Sequence, residues 1–185
     1  PVADFNTADA CLGNSVSFQN NSGISSGSIT SYQWTFGDQN SSASNGPVHT
    51  YATSGTYNVN LTATSDFGCT AQASHSVNIF PNPQAQFTGS NVCLGSITQL
   101  VNQSSVPGGG QLSADWNFSD GGTSSQMNPS YVFNNAGQFS ATLYITSPQG
   151  CSDSISGVLT VYRNPFARFQ DTDGCSGVMV QFTDM

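Results

Sequence analysis

The chain has 185 residues, two Arg, no Lys, ten Asp and no Glu, for a net charge of −8. Two cations build no phosphate-binding patch and draw no anionic lipid, so nucleic acid and membrane surfaces are excluded as partners. No apolar run approaches the ~18–20 residues of a membrane span, which excludes direct membrane insertion by a helix.

Charged residues are only 6%. Without Glu and Lys, and with Ser, Thr, Asn, Gln and Gly abundant, strands and turns are favoured over helices. Along the chain, apolar and polar residues alternate with a period of two, the signature of half-buried strands. "VADF" at 2–5 sets Ala3 and Phe5 on one side. "SVSFQN" at 15–20 points Val16 and Phe18 together, and "SYQWTF" at 31–36 does the same for Tyr32, Trp34 and Phe36. After a polar tract, "TYNVNLTAT" at 56–64 aligns Tyr57, Val59, Leu61 and Ala63, and "ASHSVNIF" at 73–80 aligns Val77 and Ile79.

From Pro83 the pattern starts again. Cys11, Cys69, Cys93, Cys151 and Cys175 are spaced so that Cys11 to Cys93, Cys93 to Cys175 and Cys69 to Cys151 are each 82 residues. Residues 1–82 align on 83–164 without a gap: Trp34, Phe36 and Asp38 fall on Trp116, Phe118 and Asp120, and Pro47, Gly55 and Gly68 on Pro129, Gly137 and Gly150. Pro165, Ala167, Phe169 and Cys175 open a third copy. The expected organisation is module 1 at 1–82, module 2 at 83–164 and the start of a truncated third module at 165–185, in a parent chain that continues. Short strands divided by Gly, Ser, Asn and Pro turns, in about 80 residues, read as an antiparallel β-sandwich. The linkers "FPNPQ" and "YRNPF" are proline-stiffened, so the modules form a linear array. The fold class is all-β.

Two cysteines per copy suggest one disulfide per module, Cys11–Cys69 and Cys93–Cys151, with Cys175 left unpaired. A loop of that length is worth about 4 kcal/mol in the chain-entropy model, and such bonds imply an oxidising compartment. Metal ligation is the other use of five cysteines, but a spacing of 58 residues within a copy matches no zinc-finger or CxxC pattern.

The stretch "WTFGDQNSSASNGPVHTYATSGTYNVNLTATSDFG" resembles the polycystic kidney disease (PKD) repeat, an Ig-like sandwich whose pattern is W-x-F-G-D-G, a polar tract, P-x-H-x-Y and G-x-Y-x-V-x-L. Trp34, Phe36, Gly37, Asp38, Pro47, His49, Tyr51, Gly55, Tyr57, Val59 and Leu61 match. Gln39 replaces the second Gly of the first motif; in the second copy Ser119, Tyr131 and Phe133 replace Gly, His and Tyr. The P-x-A-x-F opening with two cysteines is similar to PKD arrays in giant surface proteins of the Bacteroidota, among them gliding-motility adhesins exported by the type IX secretion system. That resemblance implies a non-catalytic, extracellular stalk or adhesive rod at the bacterial cell surface. Its partners would be neighbouring modules of the same long chain, and surface glycans or other cell-surface proteins. Two alternatives are a spacer or substrate-binding region of a secreted protease or polysaccharide-degrading enzyme, and a subunit of an extracellular filament.

Four features are weighed as sites. Trp34 and Asp38 form either a sugar platform or, as the shared face with Tyr32 and Phe36 favours, a core strand and its turn. Asp171 and Asp173, in "DTDG", are calcium candidates, although the full loop spacing and its closing Glu are absent; no other cofactor is expected. His49 and His75 lack any catalytic context and fall on Tyr131 and Gly157 one module later, so no enzyme activity is expected. Ser154, in "DSI", is a candidate O-glycosylation site by resemblance to the Bacteroidota motif.

Overall fold

A computed structural model of the protein describes residues 1–171, 177, 179–180 and 182–184. Among them every regular element is a strand. Module 1 runs β1 (Phe5–Asn6), β2 (Ala10–Cys11), β3 (Ser15–Ser17), β4 (Gln19–Asn20), β5 (Ile29–Thr35), β6 (Ser41–Ser42), β7 (Val48–Thr50), β8 (Gly55–Ser65) and β9 (Thr70–Phe80). One layer is a sheet in the order β2-β9-β8-β5-β6; the other is built from the pairs β1–β4 and β3–β7. β8 shows how sequence dictates the layering. Val59, Leu61 and Ala63 are fully buried while Asn58 and Asn60 face water, because alternate side chains leave opposite faces of a strand. Phe5, Val16 and Phe18 from the second layer close over Trp34, Val59, Leu61, Val77 and Ile79.

Module 2 runs β10 (Phe87–Gly89), β11 (Val92–Cys93), β12 (Thr98–Asn102), β13 (Ser113–Phe118), β14 (Thr123–Ser124), β15 (Ser130–Tyr131), β16 (Gly137–Thr146) and β17 (Ser152–Tyr162). The sheet β11-β17-β16-β13-β14 faces β10-β12-β15 across a second core. Strand registers shift by the sequence period. Trp34 lies opposite Leu61 and Trp116 opposite Leu143; Phe5 lies opposite Asn20 and Phe87 opposite Asn102. The third copy follows suit, with β18 (Phe169–Asp171) and β19 (Phe182–Asp184) pairing Phe169 with Asp184.

The copies differ inside the core in one telling place. Thr98 stands where module 1 has Val16; it is fully buried and its hydroxyl has no hydrogen-bond partner. A buried hydroxyl without a partner costs roughly 1–3 kcal/mol. Thr98→Val is therefore expected to stabilise module 2 by about 1 kcal/mol or more, read as a raised melting midpoint by calorimetry; an unchanged or lowered midpoint counts against this.

The disulfide pattern corrects the expectation from spacing. Cys11 is bonded to Cys151, with Cα atoms 5.6 Å apart and a sequence separation of 140, while Cys69 and Cys93 are free and exposed. Neither Cys11–Cys69 nor Cys93–Cys151 forms, so the described bond joins the two modules instead of closing one. Topology is the cause. β2 runs parallel to β9 with Cys11 beside Phe80, at the far end of that strand, whereas Cys69 sits in the β8–β9 turn at its start. Eleven residues of extended chain place the two about 35 Å apart, when a disulfide needs Cα atoms within ~7 Å. Cys175 lies outside the described residues.

Candidate functional site

Two constellations stand out: the motif cluster of each module and the junction between modules. In module 1, β5 carries Trp34 into the core, where it is fully buried against Phe5, with ring centroids 5.0 Å apart. Its indole N–H donates to the carbonyl of Ser44 at 2.9 Å, holding the polar tract against the sheet. Beyond β5, Asp38 closes a turn: Oδ1 accepts from the Asn40 backbone N–H at 3.1 Å and Oδ2 from the Asn40 side chain at 2.9 Å. His49 from β7 donates to Asp38 Oδ2 at 2.7 Å, and its ring stacks flat on Phe36 at 4.3 Å. Burial pushes the Asp38 carboxyl up, but the hydrogen bonds from Asn40 and His49 and the nearby His49 outweigh it. The net value lies below the ordinary carboxylate range. The stability this gives is present above about pH 4 and fades as pH falls through the lowered value.

Module 2 rebuilds the cluster with different atoms. Trp116 donates to the Gln126 carbonyl at 2.9 Å, again ten residues on. Asp120 accepts from the Gly122 N–H, and Tyr131 takes the place of His49: its hydroxyl donates to Asp120 at 3.0 Å and its ring stacks on Phe118 at 3.9 Å. Pro47 and Pro129 are buried and offer their carbonyls to the Phe18 and Leu100 N–H groups. Gly55 and Gly137 open β8 and β16. Gly37 has a φ of +80°, and a Cβ there would stand 2.8 Å from the Asn58 carbonyl oxygen. Gln39 adopts a φ of +74° where module 2 has Gly121, a left-handed residue that glycine serves at no steric cost.

So the cluster is a packed corner. Trp34 and Trp116 have no exposed face on which a sugar ring could stack, and the two carboxylates are spent on their own turns. Tyr51, whose hydroxyl donates to the Phe36 carbonyl at 3.1 Å, completes it. Tyr57 stacks on Tyr51 at 4.1 Å and donates to the Thr53 carbonyl. Burial, then the charges of Asp38 and Tyr57, pushes the Tyr51 hydroxyl up to about 12. A folded value above the unfolded one of about 10 means that stability is intact below about pH 10 and is lost between pH 10 and 12. Tyr51→Phe is expected to be less stable than the native chain at pH 8, by about 1 kcal/mol for the lost hydrogen bond. The gap should narrow by pH 12, measured as melting midpoints across that range; a constant gap excludes Tyr51 as the titrating group.

At the junction, Cys151 is buried in the β16–β17 turn, and Phe80, Pro81, Val106, Pro107, Pro148 and Gln149 line a shallow cleft beside it. Asp153, at the start of β17, accepts from the Ala85 N–H at 2.7 Å and ties the linker down. The cross-junction bond was missed by spacing alone; the signal that finds it is the parallel pairing of β2 with β9, which sends Cys11 to the pole opposite Cys69.

The remaining candidates do not join either constellation. Ser154 is exposed on β17, opposite Tyr144. His75 packs edge-on against Phe5 at 4.6 Å. Asp173 lies outside the described residues, and of Asp171 only the backbone is described, as the last residue of β18. Among the described residues no group of three or more His, Cys, Asp or Glu side chains is placed to hold a metal.

The family model of the PKD domain matches residues 1–80 and again 81–161. Pre-pro-metalloprotease PrtV of Vibrio cholerae is 27% identical over 157 residues, covering 84% of this chain and 17% of PrtV. A microbial collagenase of Vibrio alginolyticus is 33% identical over 107 residues, covering 51% of this chain and 13% of the collagenase. The chain thus spans less than a fifth of the length of these curated relatives. Among solved structures, the PKD1 domain of PrtV aligns with 37% identity and a TM-score of 0.41, covering 43% of this chain and 95% of that domain. The PKD1 domain of Vibrio anguillarum Epp aligns with 28% identity and a TM-score of 0.42, covering 45% and 96%.

Proposed function

This chain belongs to the PKD domain family, and on that premise we propose that it is a non-catalytic spacer segment of a larger extracellular protein, most simply one that carries a protease. The observation that carries the reading is the Cys11–Cys151 bond. A covalent tie across a proline-containing junction holds two modules in a set relation, which is what a spacer must do and a catalytic unit need not. The bond also favours an oxidising, extracellular setting. The motif residues that resembled a site are consumed by packing, which leaves the surface to spacing. That Vibrio relatives are named as a metalloprotease and a collagenase supports the protease context over the others.

A stalk of a surface adhesin, with a role in attachment or gliding, is the second reading. It is favoured by one observation, the third-copy strand pair in the same register as those of the first two, since long uniform arrays suit a rod. Deleting residues 1–164 from the parent protein separates the two. The spacer reading expects cleavage of a small peptide to persist while cleavage of a bulky fibrous substrate falls. The adhesin reading expects attachment to be lost with no proteolysis to measure. Ser154 is the proposed glycosylation site in either case, read as a mass increment that Ser154→Ala removes.

A further inference from the structure

Cys69 and Cys93 are the free ends of a pattern that Cys11 and Cys151 already complete. Cys93 repeats the setting of Cys11. Leu12 N–H donates to the Phe80 carbonyl and Leu94 N–H to that of Tyr162, both at 2.8 Å. The side chain of Asn82 donates to the Leu12 carbonyl and that of Asn164 to the Leu94 carbonyl. Cys69 repeats the setting of Cys151. In each turn the Ser N–H, Ser65 or Ser147, donates to the cysteine carbonyl at 2.8 Å, and the cysteine N–H donates to that serine's hydroxyl at 3.2 Å. The two unbonded thiols are both exposed, one at each outer pole.

The surfaces around them are also unfinished. At the existing junction Phe80 and Pro81 face Pro148 and Gln149 across the cleft. One period on, Phe80 and Pro81 become Tyr162 and Arg163; one period back, Pro148 and Gln149 become Asp66 and Phe67. Phe67 is 82% exposed and Tyr162 54%. A head-to-tail contact of the same geometry would bring Tyr162 and Arg163 to a cleft lined by Asp66 and Phe67, covering two exposed aromatic rings and gathering opposite charges on one surface. From these equivalences we propose that Cys93 bonds the β8–β9-type turn cysteine of a PKD module that follows, and Cys69 the cysteine beside the last strand of one that precedes. The disulfides then form a staggered ladder in which every bond crosses a junction and none lies within a module. Each bond forms by thiol–disulfide exchange. Two protein thiols give up two protons and two electrons to a small-molecule disulfide, which leaves as two thiols.

The test places residues 1–164 directly upstream of the full chain, so that Asn164 precedes Pro1 as Asn82 precedes Pro83. This protein has nine cysteines and is refolded in a glutathione redox buffer. Each copy should form its Cys11–Cys151 bond. The upstream Cys93 should bond Cys69 of the full chain, giving three free thiols and a Cys93–Cys69 linked peptide in a monomer by mass spectrometry. One free thiol with Cys11–Cys69 and Cys93–Cys151 peptides would overturn the ladder. So would five free thiols, with Cys93 and Cys69 both unbonded. Cys69→Ser in the full-chain half should abolish the new link and leave both Cys11–Cys151 bonds, which shows that loss of the link is not loss of the fold.

Discussion

Trp34→Ala should destabilise module 1 by about 3–5 kcal/mol and leave module 2 standing. Truncating a fully buried Trp costs about 3–5 kcal/mol, and an 80-residue unit has roughly 4–12 kcal/mol in all. Trp34 is 0% exposed and touches Phe5 and Phe18 from the opposite layer, so its removal empties the space that joins the sheets. It also strands the Ser44 carbonyl, the acceptor of the indole N–H. Trp34→Phe keeps most of the ring and loses the donor, so it should cost less than the alanine change. The chain has two Trp, and in Trp34→Ala the fluorescence of Trp116 reports module 2 alone. The expected result is an unshifted Trp116 transition with the module 1 transition strongly lowered, or absent, in calorimetry. A Trp34→Ala chain whose module 1 transition stays where it is in the native chain would show that Trp34 is not the core of this unit, and a sugar-binding role would be reopened.

The same residues show what the sequence made legible. Period-two alternation placed Val59, Leu61 and Ala63 inside, and it placed Trp34 and Phe36 beside them, because burial of one sheet face leaves no freedom in which side chains point inward. The gapless repeat carried every register across to module 2. Less legible were features that depend on contacts between distant strands. The repeat sets Tyr131 on His49, but nothing in the string announces that it donates to Asp120 as His49 does to Asp38, since a ring that stacks and a polar tip that donates are the only requirements, and both residues meet them. Gln39 departs from the motif, but only the backbone shows it held at positive φ. The pairing of cysteines was least legible. Spacing of 58 residues is compatible with a staple inside the module until the parallel β2–β9 pair is known, and then it is geometrically barred.

That geometry leads to the second large effect. Cys11→Ser is expected to destabilise the two-module unit and to free its junction, whereas Cys69→Ser should do neither. The Cys11–Cys151 bond closes a loop of 140 residues, which restricts the unfolded chain by about 5 kcal/mol in the chain-entropy model. The restriction acts on both modules, because unfolding either one leaves it tethered at two points to the other. In calorimetry the oxidised chain should therefore melt higher than Cys11→Ser, whose two module transitions should both be lowered as their tie is lost. Small-angle scattering should show a broader spread of intermodule distances for Cys11→Ser, for Cys151→Ser and for the reduced native chain, all three alike. A staple within the module would give the opposite pattern: Cys11→Ser and Cys69→Ser would be equivalent, each would weaken module 1 only, and the intermodule distances would stay as they were. Equal behaviour of Cys11→Ser and Cys69→Ser is thus the result that sinks the cross-junction bond. A gap between them, with Cys151→Ser matching Cys11→Ser, establishes that this array takes its stiffness from covalent ties laid across the prolines of its linkers.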